Sequence, residues 1–378
     1  MAKVSLANLS KSYRSGSGSD VAAVSGVTLE VSDRELLVLL GRTGAGKSTI
    51  LRIIAGLEEV SSGDVSIGDR RVNDIAPDAR DVALVTANHA LYPPMTVREN
   101  LAIALKLRNF KESEITRRID DAAGILQITD LLDRKPARLS RPESQRVAIA
   151  RALVRQPKVI LLDEPLAGLD TETRVQIRTE IAKLHQRRNA TIVYATSETA
   201  EAMMLADRIA VLDKGAVQQL DSPERIYAAP ANLIAAGSVG TPPMNLIHGT
   251  LKQERETLRF VETGDGSIEL SVSLAAHPAA REFVGKPLVL GIRPEHISIA
   301  QTPKGQGNSA TNFPAVAEII EPAGAETLLH LQTGAHSIFC RSRGAIAREE
   351  AGRRMRFEID PTQVHFFDPT TALRLVYP

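Results

Sequence analysis

A chain of 378 residues is long enough for about two to three domains, and an apolar fraction of 43% is enough to fill their cores. With 46 basic against 45 acidic residues, net charge argues against a protein that holds nucleic acid by bulk basicity. The single cysteine, Cys340, excludes an intramolecular disulfide and reads as a core or surface thiol in a reducing compartment.

The N-terminus lacks the charged-then-apolar form of a secretion signal. No run of about 18 apolar residues offers a membrane span, so any membrane role is expected through a partner. Residues 1 to about 240 alternate short β-rich runs with helical stretches, the α/β pattern of a mostly parallel sheet. Strands are predicted at residues 4–6 and 27–31, with a flexible surface loop by composition over 14–20. Tyr13 stands just before that loop. It is a candidate to stack on adenine and equally an ordinary packing residue.

Residues 36–40 form a continuous apolar run, as a buried parallel strand does. It enters Gly41-Arg42-Thr43-Gly44-Ala45-Gly46-Lys47-Ser48-Thr49, and the apolar periodicity of 48–57 then predicts a helix. Strand, glycine loop and helix together make a phosphate-binding loop. Its glycines let backbone N–H groups curl around phosphate oxygens at a helix N-terminus. Lys47 is expected to reach the β- and γ-phosphates, and Ser48 to hold Mg²⁺.

Between residues 99 and 139 the pattern turns helical and charged, which predicts a docking subdomain. A second apolar strand at 159–162 ends in Asp163 and Glu164. An acidic pair at such a strand end suits Mg²⁺ binding by Asp163 and activation of water by Glu164. Another strand is predicted at 191–194. Around Thr241-Pro242-Pro243 the character changes, and strand-like segments separated by Gly, Pro and Asn predict a small β-barrel region over 245–378.

These motifs, in this order, resemble those of ATP-binding-cassette proteins over nearly the whole chain. The carriers are the glycine loop, Leu91-Tyr92-Pro93, residues 145–153, Leu161-Leu162-Asp163-Glu164-Pro165, Leu169-Asp170 and Glu201-Ala202-Met203. Further on, Gly291-Ile292-Arg293-Pro294-Glu295-His296 resembles the C-terminal regulatory domain of importers for sugars, polyols and glycerol phosphate. The maltose-importer ATPase subgroup is the nearest likeness. The resemblance implies a P-loop NTPase cassette over 1–240, with a helical subdomain at about 95–155. It implies an all-β OB-like and TOBE regulatory domain over 241–378. It also implies ATP and Mg²⁺ as cofactors, a dimer of two such subunits, and two transmembrane permease subunits. A solute-binding protein would take part indirectly, and no nucleic acid. The helical stretch from Tyr92 to Leu132 would receive the permeases' coupling helices. The location implied is peripheral, on the cytoplasmic face of the bacterial inner membrane.

Three places depart from the family. Ala87 stands where the family has a glutamine that senses Mg²⁺ and the attacking water; alanine has no polar atom to do so. Leu139-Ser140-Arg141-Pro142-Glu143 replaces Leu-Ser-Gly-Gly-Gln, whose glycines let backbone N–H groups approach a partner's γ-phosphate. Pro142 has no N–H, Arg141 adds bulk along with a charge that could touch phosphate, and Glu143 brings negative charge. The same residues also spell a capping box with proline in the first turn, so the helix start is kept while the phosphate contact is lost. Ser197 replaces the histidine that contacts the γ-phosphate.

Together the departures imply that ATP binding survives and hydrolysis is weak. A heterodimer with a more complete ATPase would leave one site with a full catalytic set; a homodimer would carry every change twice. A regulatory or structural pseudo-ATPase is the alternative reading. Cassette proteins acting on DNA or ribosomes lack support here. For the C-terminal region, a ligand- or regulator-binding surface and a passive dimerisation domain stand equally, and Arg293 and Glu295 could form an ordinary ion pair.

Overall fold

A computed structural model describes residues 2–14, 20–86, 91–188, 190–254, 257–273, 277–300 and 311–375. Contacts divide the chain into two compact units, residues 1–224 and 225–378. The sequence boundary at 241, where the composition changes, falls somewhat later.

In the first unit, β1 (Val4–Arg14) and β2 (Asp20–Val31) pair antiparallel along their length, from Val4 with Val31 to Arg14 with Asp20. These strands are longer than the short apolar runs predicted. Cross-strand hydrogen bonding carries the pairing into polar sequence, through register shifts between Leu6 and Ser12. Next come β3 (Leu36–Leu40), α1 (Lys47–Ala55), β4 (Ser62–Ile67), β5 (Arg70–Arg71) and β6 (Val82–Thr86). Three helices follow: α2 (Val97–Lys106), α3 (Glu112–Ile125) and α4 (Arg141–Leu153). The unit continues with β7 (Val159–Asp163), α5 (Thr171–Arg188), β8 (Thr191–Thr196), α6 (Thr199–Leu205), β9 (Arg208–Asp213) and β10 (Ala216–Asp221).

The central sheet has the order β10-β9-β3-β8-β7-β6. Its five strands from β9 to β6 run parallel, and β10 is an antiparallel edge. Every residue of β3, β7 and β8 is buried. That explains their unbroken apolar runs, since helix crossovers cover both faces of a parallel sheet. A second, antiparallel sheet, β2-β1-β4-β5, lies outside the parallel pattern read from the sequence. Its inward residues (Val4, Leu6, Val27, Leu29, Val65) share one apolar core with α1 and the central sheet.

The boundary falls within the short helix α7 (Pro223–Ala228), and the second unit continues with α8 (Leu233–Ser238). It then holds β11 (Asn245–Glu254), β12 (Thr257–Glu262), β13 (Glu269–Val272), β14 (Pro287–Ile292), β15 (Ile297–Ile299), β16 (Thr311–Ala323), β17 (Glu326–Gln332), β18 (Ser337–Arg343), β19 (Arg354–Ile359) and β20 (His365–Phe367). They form two antiparallel five-stranded sheets, β13-β12-β11-β14-β20 and β15-β19-β16-β17-β18. Ile247, Phe260, Leu290, Phe313, Leu329 and Phe357 belong to one core drawn from both sheets.

Arg293 is buried in this unit. Its guanidinium lies 4.0 Å over the Tyr227 ring and donates to the Tyr227 carbonyl at 2.7 Å and to the Val239 carbonyl. Glu295 accepts from the Tyr227 hydroxyl. The two residues that could form an ion pair thus each find another partner. Burial, with the Glu295 carboxylate beside it, pushes the Tyr227 phenol up to about 12. Cys340 is also buried, its Sγ 3.1 Å from the Ile297 carbonyl, and burial pushes its thiol up to about 12. It is a core thiol with little thiolate character.

Candidate functional site

The loops that leave the C-terminal ends of β3, β7 and β8 meet at one edge of the central sheet. Parallel α/β sheets place ligands at that edge. Neighbouring strands bring the loops together: β3 pairs with β8, and β8 with β7. The Gly41 N–H donates to the Thr196 carbonyl at 3.3 Å, and the Glu164 N–H to the Ala195 carbonyl at 2.9 Å.

Gly46 caps α1 with φ +97°. A Cβ there would sit 2.5 Å from the Ala23 carbonyl oxygen, so only glycine permits this turn. Arg42, Thr43 and Gly44 are exposed, whereas Gly41, Ala45, Gly46 and Lys47 are buried. Thr49 is half-buried in the first turn of α1. Lys47 folds back over its own loop. Its Nζ donates to the Gly41 carbonyl at 2.7 Å and the Arg42 carbonyl at 3.2 Å, and lies 3.2 Å from Glu164 Oε1.

Ser48 Oγ donates to Asp163 Oδ1 at 2.8 Å. Burial holds the Asp163 carboxyl above the ordinary range, and the Ser48 hydrogen bond opposes that rise. Glu164 has φ +46°, a left-handed turn outside β7 that sets its carboxylate toward Lys47. Such strain in a non-glycine residue collects at functional sites. The glycine loop offers buried N–H groups and a lysine for phosphate, and Ser48 with Asp163 offers two hard oxygen donors. Two neighbouring hard oxygen donors fit a Mg²⁺ ion that takes its remaining ligands from phosphate and water.

At α4, Ser140 is the N-cap and a complete capping box is present. The Glu143 N–H donates to Ser140 Oγ at 3.4 Å, and Glu143 Oε2 accepts from the Ser140 N–H at 2.7 Å and its hydroxyl at 2.8 Å. Pro142 occupies the first turn, where its missing N–H costs nothing. The Ser140 backbone N–H, then the hydroxyl, holds the Glu143 carboxyl below the ordinary range. Arg141 turns to the loop after Glu164 and donates to the Ala167 carbonyl at 3.3 Å. Asp170 is exposed and caps the start of α5, accepting from the Thr173 N–H at 3.0 Å.

Three family models match successive stretches: ABC transporter over residues 24–167, MalK OB fold domain over 240–297, and TOBE domain over 290–367. The ABC transporter ATP-binding protein YurJ of Bacillus subtilis, described as uncharacterized, is 42% identical over 98% of this chain and 99% of its own length. The chain belongs to the ABC transporter ATP-binding proteins. Its MalK-type OB and TOBE modules put it in the sugar-importer subgroup of the family. The sulfoquinovosyl glycerol transport ATP-binding protein SmoE of Agrobacterium fabrum is 41% identical, covering 98% of this chain and 99% of that one. The sn-glycerol-3-phosphate import ATP-binding protein UgpC of Yersinia pseudotuberculosis is 41% identical, covering 92% and 93%. Among solved structures, the dimeric post-hydrolysis state of the ATP-binding cassette MJ0796 bound to ADP and Pi matches with TM-score 0.54 at 30% identity. It covers 58% of this chain and 98% of that chain.

Within this cassette, the residues singled out in the glycine loop and at the end of β7 come together with the end of β8. Tyr13 lies at the far end of β1, 38% exposed, with the Lys11 ammonium 5.0 Å from its ring centre. Ser197 is exposed just beyond β8. Ala87 lies outside the described residues, as do Ala90 and residues 15–19 of the N-terminal loop.

One group was not singled out as a site from the sequence. Glu201 is buried behind the end of β8 and accepts from Tyr194 Oη at 2.7 Å and Thr196 Oγ1 at 2.8 Å. Burial raises its carboxyl above the ordinary range, against those two hydrogen bonds. The network fixes the strand end from which Ser197 projects. Its only trace in the sequence was the position of Glu201 in the family pattern.

Proposed function

We propose that this chain is the ATP-binding, energy-coupling subunit of an importer for a sugar, polyol or glycerol-phosphate type of solute. The observation that carries the reading is the meeting of Lys47, Ser48, Asp163 and Glu164 at one sheet edge, in a chain whose relatives SmoE and UgpC are transport ATP-binding proteins. The partners proposed are a second ATPase subunit and two permease subunits, with a solute-binding protein acting indirectly. The chain would sit peripherally at the cytoplasmic face of the bacterial inner membrane. No helix among the described residues is long and apolar enough to cross a bilayer, which is consistent with a peripheral subunit.

Bound ATP with Mg²⁺ supplies the free energy of phosphoanhydride hydrolysis. The chain's own groups bind and orient it. Backbone N–H groups of the glycine loop receive phosphate oxygens, and Lys47 exchanges its loop carbonyls for phosphate. Ser48 and Asp163 would hold the metal. Glu164 orients and deprotonates the attacking water, and Tyr13 is the proposed adenine platform. Hydrolysis by this chain alone is proposed to be weak. Ala87 and Ser197 lack the polar reach of the residues they replace, and loss of one transition-state donor typically costs on the order of 10²–10³ in rate. The losses need not multiply, because such groups act as a unit. A heterodimer with a more complete ATPase is therefore favoured over a homodimer.

A groove of about 450 Å³ lined by Val85, Tyr92, Ala104, Ala148, Arg151 and Arg155 is the proposed seat for a permease segment. Equilibrium binding of Mg²⁺-ATP to the full-length chain and its Lys47→Ala variant tests the reading. Saturable binding lost in the variant supports it; equal binding by both chains refutes it.

A further inference from the structure

We propose that Arg141 is a positioning residue: it clasps the loop between Glu164 and Asp170 to the start of α4 within one chain. Two independent features of the structure meet here. The guanidinium donates to the Ala167 carbonyl at 3.3 Å. It also lies flat against Gly168, where a Cβ would come within 2.6–2.7 Å of Arg141 Nη2, Cζ and Nη1. Gly168 has φ +71°, a conformation that favours glycine, and its lack of a Cβ leaves room for the guanidinium. A planar, delocalised cation suits that surface; an ammonium point charge does not.

Leu166 and Leu169 of this loop are buried, whereas Ala167 and Gly168 between them are exposed. The Ala167 N–H donates to the Glu164 carbonyl at 3.2 Å and the Leu169 N–H to the Leu166 carbonyl at 3.4 Å, and Arg174 reaches the Leu169 carbonyl at 3.3 Å. Arg141 grips the near half of the loop and Arg174 the far half. The segment that begins at Glu164 and ends at Asp170 is thereby tied to the helical region rather than only to its own strand. Glu143 meanwhile fills the α4 N-terminus with its own carboxylate. Arg141 is the group of the altered signature segment that, among the described residues, reaches outside it to the loop after β7. Any consequence for hydrolysis rests on the roles proposed for Glu164 and Asp170; the clasp itself does not.

Amide hydrogen exchange on the full-length chain reads the clasp without needing turnover or bound nucleotide. In Arg141→Gly, the Ala167 and Leu169 amides should exchange about tenfold faster, the loss of one hydrogen bond to a charged donor. The Leu161 amide inside β7 should be unchanged. Arg141→Lys should restore protection only in part. Gly168→Ala should speed Ala167 exchange in the parent, and less so in the Arg141→Gly background, where no guanidinium remains to displace. Exchange at Ala167 and Leu169 that stays at parent rates in Arg141→Gly would overturn the proposal. So would an acceleration that extends equally to Leu161, or full additivity of the two substitutions.

Discussion

Lys47, the first residue of α1, faces Glu164, just beyond β7, Nζ to Oε1 at 3.2 Å, with the lysine only 4% exposed. The group proposed to hold phosphate and the group proposed to activate water are thus direct neighbours. Phosphate entering the loop would compete with Glu164 for the same ammonium, so loss of either residue alters what the other sees.

That competition separates the two substitutions. Lys47→Ala removes a buried cation from the phosphate cradle and should weaken ATP binding on the order of tenfold to a hundredfold, as loss of charged hydrogen bonds does. Glu164→Gln removes only the competing carboxylate and should leave binding equal or tighter. Titration with a fluorescent ATP analogue in Mg²⁺ measures both; weakened binding in Glu164→Gln contradicts the geometry.

The capping box at α4 carries a stability of defined pH dependence. Glu143→Ala should destabilise the chain by about 1 kcal/mol at neutral pH, the usual worth of a cap. Hydrogen bonds from Ser140 lower the carboxyl's pKa in the folded chain. Its contribution is therefore present above the unfolded glutamate value of about 4.3, and is lost as pH falls through the lowered folded value. Urea midpoints of parent and variant should converge on acidification. A gap that widens instead would contradict the sign.

In the second unit, the Glu262 carboxylate is fully buried and accepts from three groups. These are Thr333 Oγ1 at 2.5 Å, His336 Nδ1 at 2.6 Å and the Ile268 N–H at 2.9 Å. Glu262→Ala removes the acceptor of the Ile268 N–H and of His336 Nδ1, while Thr333 Oγ1 keeps the His336 carbonyl at 3.1 Å, and should cost about 1–3 kcal/mol, the scale of buried donors left unsatisfied. Because the defect is confined to the second unit, calorimetry should show its transition shifted down while ATP binding persists. Unchanged unfolding would mean the network carries little.

Local motifs were the most legible part of the molecule. The glycine loop, the apolar strands β3, β7 and β8, and the Ser140–Glu143 box each lie within a few residues, and local sequence dictates their geometry. The antiparallel sheet of β1, β2, β4 and β5 was hidden, because its strands run into polar residues paired only by register. Arg141 over Gly168 and the Glu201 network join positions far apart in sequence or set by burial, so no spacing rule announces them. The partners of Arg293 and Glu295 were hidden for the same reason. Neighbouring opposite charges suggested a pair, whereas Tyr227, 66 positions from Arg293, receives the guanidinium on its ring and carbonyl.

The cassette is proposed to bind ATP but turn it over slowly because of Ala87, the Arg141-Pro142-Glu143 segment and Ser197. The most direct test is Mg²⁺-dependent ATP turnover by the purified full-length chain. The comparison is a variant carrying Ala87→Gln, Arg141→Gly, Pro142→Gly, Glu143→Gln and Ser197→His, with Glu164→Gln as the baseline for each. Both should bind ATP, and the parent should turn over at least about a hundredfold more slowly than the restored variant. Parent turnover equal to that of the restored variant, and abolished by Glu164→Gln, would contradict it.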